Sequence, residues 1–377
     1  MVQFEIIGTL KAVKDSDKFK SLEVLDFPSG WQTTRYRFNV VSDTNRFMCE
    51  ISGGKWKDDS KNKILTFSRP TEGKKSEKIE IAWNDRRNPE KIDQVAGYKI
   101  YTCNLLTYDE RKALEDDGKK EEADKKNYQF LEQTEYALLI KKLIDSGKYA
   151  DAKFKILGTM DFSYNSKNGQ YYRNYTVNKI YKVSDETPCK AEMTVNAYYT
   201  EDAVDSELYD EKKKYMFNCY TDYYFSSIKE NRFVPMALVI NGNGDETAAK
   251  RAEGFKKKLT AFDDEATVRK IGLVCDLIDG AEAKAITYDD LDDETKENVD
   301  FGLVSLEEAI RALGGNVMGQ RITEYRIKSL ARNSVKGSET TVYTVDDLKA
   351  LPVPKEESVT EEVVDDDDFD LFADDDF

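Results

Sequence analysis

A chain of 377 residues has room for two or three domains, each with its own core. This one has a formal net charge of −16 and no histidine. The charge excludes a uniformly basic nucleic-acid binder. The missing histidine removes the commonest general base, the Ser/His and Cys/His nucleophile pairs and the commonest zinc ligand.

Cys49, Cys103, Cys189, Cys219 and Cys275 are scattered, odd in number and never spaced as CxxC. They make no disulfide framework or zinc site and fit a reducing cytoplasm. No apolar run reaches membrane length, and no signal peptide is read at the start. Walker A and GxGxxG patterns are missing, and Gly242-Asn243-Gly244 is a turn. These absences predict a protein that is not an enzyme and needs no cofactor.

The N-terminus is strand-like from Phe4 to Val13. Arg35 to Val41 alternates, with Tyr36, Phe38 and Val40 on one face and Arg35, Arg37 and Asn39 on the other, the period of a half-buried strand. Asp43-Thr44-Asn45 predicts a hairpin turn, with Phe47 to Ile51 returning. Residues 55–91 are polar and basic, carrying eleven Lys and Arg against seven acids. Ile79 to Trp83 and Tyr98 to Leu106 are further strand candidates. A mixed-charge run at 109–127 reads as a solvated connection. Tyr136, Leu139, Ile140 and Leu143 then give the apolar stripe of a helix ending at Gly147.

At Phe154 the chain repeats itself. Phe154-Lys155-Ile156-Leu157-Gly158-Thr159-Met160 matches Phe4-Glu5-Ile6-Ile7-Gly8-Thr9-Leu10 at four of seven positions. Tyr171 to Val177 echoes Arg35 to Val40, and Lys190 to Tyr199 returns. This predicts two copies of one β domain. Further strands are expected at Tyr215 to Phe225, Arg232 to Ile240, Val268 to Ile278 and Gly319 to Ser329. Helices are expected at Ala248 to Phe262, Asp289 to Asp300, after Ser305 (ending at Gly314-Gly315) and after Thr344.

Short repeated strands with a glycine bend in the first suggest small OB-type barrels. The expected fold is mainly β with some α. It has a first five-stranded barrel over 1–125, a connecting helix over 126–150, a second barrel with helical additions over 151–350, and a disordered acidic tail over 351–377.

Single-stranded DNA needs flat aromatic surfaces for its bases and cations for its phosphates. Tyr171, Arg173, Tyr175, Val177, Lys179 and Tyr181 are expected on one face of a strand, with Tyr172 beside them at a hairpin rim. In the first copy Arg35 and Arg37 match this position, and Trp31 precedes them. Lys55, Trp56 and Lys57 form one group of an indole beside cations, and Trp83, Arg86 and Arg87 another. The carboxylates at Asp263-Asp264-Glu265 and Asp289 to Glu294 read as helix starts, where the dipole favours them, and not as a metal pair.

From Lys355 onward twelve acids face one lysine, so the tail carries −11 and the rest about −5. Such a block repels itself and is expected to be disordered. Phe369, Leu371, Phe372 and the terminal Phe377 are spaced along it. An acidic tail ending in Phe, behind a repeated β body, resembles the bacteriophage replicative single-stranded DNA-binding proteins of the OB-fold kind. The tail departs from the bacterial form in lacking Pro before its Phe, and the zinc-bearing phage type is excluded.

The resemblance implies sequence-independent binding of single-stranded DNA in replication, recombination and repair. It also implies docking of polymerase, primase or helicase on Asp374, Asp375, Asp376, Phe369, Phe372 and Phe377, with the tail competing against DNA. No membrane is involved. The rival reading is a β-rich structural or assembly protein that binds no nucleic acid.

Overall fold

In a computed structural model of the protein, residues 2–16, 19–71, 75–262, 267–285, 288, 291–312 and 316–353 are described. The first half contains β1 (Val2–Ala12), β2 (Leu22–Asp26), β3 (Trp31–Ser42), β4 (Asn45–Trp56), β5 (Lys63–Phe67), β6 (Lys78–Ala82), α1 (Pro89–Asp93), β7 (Tyr101–Asn104), α2 (Tyr108–Asp116), α3 (Lys120–Asp124), β8 (Asn127–Phe130) and α4 (Gln133–Asp145). The second contains β9 (Lys153–Asn165), β10 (Gln170–Lys182), β11 (Lys190–Tyr199), β12 (Val204–Asp205), α5 (Tyr209–Lys212), β13 (Lys214–Phe225), β14 (Glu230–Asn241), α6 (Glu246–Leu259), β15 (Arg269–Ala285), α7 (Asp293–Asp300), α8 (Leu306–Ala312), β16 (Asn316–Leu330), β17 (Glu339–Thr340) and α9 (Val345–Lys349).

Strand pairing closes two rings of five. In the first, β1 pairs with β3, β3 with β4, β4 with β10 in parallel, β10 with β9, and β9 back to β1. In the second, β11 pairs with β13, β13 with β14, β14 with β16 in parallel, β16 with β15, and β15 back to β11. Each ring runs in the order fourth, first, second, third, which is the Greek-key order, and its fifth strand closes the gap between the third and the fourth. The rings are joined where β11 pairs with the outer edge of β1.

This pairing departs from the expected boundaries. The strands at 153–182 do not open a second copy; they complete the ring begun by β1, β3 and β4. The reason is that the repeated heptapeptides are partners of each other. They lie antiparallel, with Phe4 opposite Gly158, Ile6 opposite Ile156 and Gly8 opposite Phe154, so each copy's Phe faces the other's Gly. A Cβ on Gly158 would lie 2.6 Å from the Phe4 ring and 2.1 Å from the Thr176 carbonyl oxygen. One on Gly8 would lie 2.2 Å from the Val41 carbonyl oxygen. Only glycine lets the two neighbouring strands approach this closely.

The expected connecting helix is likewise part of the first ring. α4 lies between that ring's third and fourth strands and packs on β1, β3, β4 and β7. It buries Tyr136, Ala137, Ile140 and Leu143 in the main core, and the chain leaves it through Gly147 at φ +66°. α6 holds the same place in the second ring and buries Ala252 and Leu259. The expected solvated connection at 109–127 is helical: α2 and α3 are tied by Arg111, which bonds Glu115 at 2.8 Å and Asp124 at 2.9 Å. α2 buries no side chain, so its helical form was not visible as an apolar stripe. Gly314-Gly315, read as a helix end, lies outside the described residues.

Gly158→Ala is expected to lower stability by about 1–3 kcal/mol through overpacking, read as a fall in the urea midpoint at unchanged slope. An exposed control, Gly97→Ala, has nothing within 4 Å of the added Cβ and should not move it.

Candidate nucleic-acid interface

Arg35 and Arg37 point away from the ring interior, as the alternation requires, but they do not face solvent. Glu50 stands opposite Arg37 across the β3–β4 ladder, and Glu23 stands opposite Arg35 across β2–β3. Arg35 lies 3.5 Å from Glu23 and 3.4 Å from Glu50, and Arg37 lies 3.3 Å and 3.2 Å from the same two carboxylates. Phe19 closes over Arg37, with the guanidinium 5.1 Å from its ring centroid. The two arginines are 6% and 8% exposed. Burial raises the Glu50 pKa despite the lowering pull of Arg35 and Arg37. These cations are internal partners, a correction to their expected place in a groove.

Trp83 and Arg86 are corrected in the same way, while Arg87 is paired but its side chain stays 71% exposed. Trp83 is buried in a separate small core with Ile64, Ile81, Ile92, Val95, Ile100 and Leu131. Arg86 stacks 4.3 Å from its ring centroid and bonds Glu135 at 2.9 Å, and Arg87 bonds the same carboxylate. Partial burial would raise the Glu135 pKa, but its bonds to Arg87 and Arg86 outweigh this and lower it. The group ties the segment after β6 to the start of α4.

Trp31 and Trp56 do come together. They face each other across the β3–β4 ends, edge to face, with centroids 5.2 Å apart. Both are half-buried. Trp31 lies against Gly54, where a Cβ would come within 2.3 Å of the indole. Lys61, which the sequence reading missed, stands 5.5 Å from the Trp56 centroid. Lys55 is half-buried beside them, and Lys57 pairs with Asp26 at 3.0 Å.

The expected one-face array on β10 is interrupted. Pairing with β9 slips by one residue between Val177 and Lys179. Such a bulge reverses the alternation, so Val177 and Ile180 are both buried. Lys179 and Tyr181 therefore leave the face that carries Tyr171, Arg173 and Tyr175. Tyr175 is a core residue, edge-on to Phe4 at 5.3 Å and Phe47 at 5.8 Å, and burial raises its pKa well above the ordinary value. Tyr171 packs on Tyr164 at 4.8 Å, and burial pushes its pKa up to about 12. Tyr172 accepts a hydrogen bond from the Asn168 side chain at 2.8 Å. Arg173 is exposed, and its guanidinium lies 5.1 Å from the Tyr325 ring centroid. Tyr325, which the sequence reading missed, is itself buried, at 5% exposure.

The chain itself covers part of the outer face of each ring. On the first, β2 lies beside β3 in the sheet and Phe19 packs over Arg37, while Met48 of β4 stays 51% exposed. On the second ring, Tyr343 packs edge-on to Tyr198 at 5.7 Å and Phe233 at 4.9 Å. Leu348 of α9 completes a buried cluster with Tyr198, Phe233 and Val268, against which Tyr220 and Val345 pack. Two surfaces that combine aromatic rings with cations are the Trp31–Trp56–Lys61 group and the β9–β10 rim bearing Tyr172 and Arg173.

Asp374, Asp375, Asp376, Phe369, Phe372 and Phe377 lie outside the described residues, as do Asp263-Asp264-Glu265 and Asp289-Asp290. Among the described residues, no group of three Cys, Asp or Glu side chains is placed to hold a metal ion, and no helix is long and apolar enough to cross a membrane.

No family model matches the chain, and no curated protein does. Among solved structures, the wild-type single-stranded DNA binding protein from Thermus aquaticus aligns at 8% identity and a TM-score of 0.31, covering 88% of this chain and 92% of its own. A deletion mutant of the same protein aligns at 8% identity and 0.30, covering 88% and 94%. Similarity at that level assigns neither fold nor function to this chain.

Arg37→Ala leaves Glu50 buried with half its partners. It is expected to cost about 3–5 kcal/mol, measured by urea unfolding, while oligo-dT affinity of the folded fraction stays unchanged.

Proposed function

We propose that this protein binds single-stranded DNA without sequence preference, as part of DNA replication, recombination and repair. Each five-stranded ring would act as an OB-type barrel. The observation that carries this reading is the pair of Greek-key rings that leave a half-buried indole pair beside an exposed lysine, and an exposed rim arginine over the buried Tyr325. That fold type commonly presents oligonucleotide sites on its outer strands and loops. Stacking on an aromatic ring is sequence-tolerant because every base has a π face, and the half-exposed edges of Trp31 and Trp56 suit it. Arg173, Lys61 and Lys55 would hold phosphates. The division of labour differs from the sequence expectation: Arg35, Arg37, Trp83, Arg86, Arg87 and Tyr175 support the frame, and contact falls to Trp31, Trp56, Lys55, Lys57, Tyr172 and Arg173. The acidic tail would dock polymerase, primase or helicase.

One observation favours the second reading, an assembly protein that binds no nucleic acid. Arg35 and Arg37 of β3 are engaged by Glu23 and Glu50, and on the second ring Tyr343 and Leu348 pack over Phe233 of β14, which narrows the face that OB barrels commonly use.

Binding of fluorescent oligo-dT and of a matched duplex separates the two. The DNA reading predicts preference for the single strand and a steep loss of affinity with added salt as counterions are released. Trp56→Ala should weaken binding about 5- to 100-fold, the equivalent of one lost stack, and Arg173→Ala should weaken it and flatten the salt slope by about one unit. Undetectable oligo-dT binding at low salt leaves the assembly reading.

A further inference from the structure

The β5–β6 hairpin stands apart from the rings as its own two-stranded sheet. One face is buried: Ile64 and Ile81 enter the small core with Trp83, and Ile79 packs against it. The other face is open. It carries Lys63, Leu65 and Phe67 on β5, opposite Ala82, Glu80 and Lys78 on β6. Leu65 is 78% exposed and the neighbouring Tyr98 is 62% exposed. Phe67 and Tyr98 lie with centroids 6.5 Å apart, and Lys99 stands over both, at 5.7 and 5.9 Å. Glu80 is the carboxylate on this face and pairs with Lys63 at 3.1 Å. Three lysines thus frame an apolar strip of one leucine and two aromatic rings.

The backbone is open as well. The end of β5 is engaged on its second side, since Ser68 bridges Val95 and the Ala96 amide donates to the Phe67 carbonyl at 2.8 Å. Among the described residues β6 pairs with β5 alone, which leaves its other edge able to accept a strand.

We propose that this face and edge receive the C-terminal segment 365–377 of the protein, from the same chain or a second copy. The chemistry is complementary. The segment has eight aspartates and no cation, with Phe369, Leu371, Phe372 and Phe377 between them. Its aspartates meet Lys63, Lys78 and Lys99, and its Phe and Leu side chains cover Leu65, Phe67 and Tyr98. A free strand edge favours a peptide over a nucleic acid, because an extended peptide adds main-chain hydrogen bonds to a sheet edge while pockets take alternate side chains. An aliphatic leucine at the centre of the strip also offers a base no flat surface to stack on. Reach is sufficient: the 20 residues from Val353 to Phe372 extend to about 60 Å, roughly three times the ~21 Å radius of gyration of a compact chain this long.

The test uses the full chain without DNA, so it stands or falls separately from the DNA reading. A photo-reactive benzoylphenylalanine replaces Phe372, and cross-linked peptides are mapped by mass spectrometry. The expected result is cross-linking to residues 63–67, 78–82 or 98–99. It should be lost at high salt and lost in the Leu65→Ser, Lys99→Glu variant, whose unfolding midpoint checks that it is folded. Mixing light and heavy chains reports whether the segment comes from the same copy. Cross-links to the Trp31–Trp56 group or the β9–β10 rim, or none at all, overturn the proposal. So does an iodouridine oligonucleotide that cross-links to Phe67 or Tyr98, which would give this face to single-stranded DNA.

Discussion

The antiparallel pairing of β1 with β9 is the contact on which the rest of the architecture depends. Two near-identical heptapeptides lie head to tail, and each presents phenylalanine to the other's glycine. That exchange fixes the register, because a one-residue slip would turn every apolar side chain to the wrong face. With the register fixed, β3 and β10 fall on the outer edges of the pair, and β4 closes the first ring against β10. On the edge that β3 takes from Thr9 onward, the earlier residues 3–7 of β1 pair with β11 and so seat the second ring. Burial of Phe4, Ile6, Phe154 and Ile156, all at 3% exposure or less, supplies the apolar area that holds this junction.

Charge is arranged around the same frame. The outward arginines of β3 are neutralised by Glu23 and Glu50 under β2, and those after β6 are neutralised by Glu135 on α4. Buried ion clusters add little net stability but penalise the loss of any one member, so these arginines specify how β2 and α4 seat on the ring. Three exposed cations sit beside aromatic rings: Lys61 by Trp56, Arg173 by Tyr325 and Lys99 by Phe67 and Tyr98. The first two suit a base-stacking polymer, and the third lies on a sheet edge suited to a peptide. The separation places the proposed DNA contacts and the proposed seat of the acidic segment on different surfaces.

Much of the strand content was legible. The alternation at Arg35 to Val41 marks β3, Asp43-Thr44-Asn45 its turn, the stripe from Tyr136 to Leu143 α4, and Ser305 and Thr344 the starts of α8 and α9. The repeat was legible too, but its meaning was not. Self-similarity can mark either two copies of a domain or two strands that pair, and sequence periodicity does not separate them. The bulge at Asn178 was hidden for a related reason, since an extra residue in a strand leaves the string of residue types unbroken. Site residues were harder still. Whether Arg35 and Arg37 face solvent is decided by Glu23, Glu50 and Phe19, which lie on other segments, and no spacing along β3 announces them.

Tryptophan fluorescence during titration with oligo-dT tests the central claim most directly, because the chain has 3 tryptophans in two environments. If single-stranded DNA stacks on the half-buried indole pair, emission falls on binding. The fall disappears in the Trp31→Phe, Trp56→Phe double variant and persists in Trp83→Phe. Emission that is unchanged by saturating oligo-dT, or a change that comes from Trp83 alone, would contradict the account.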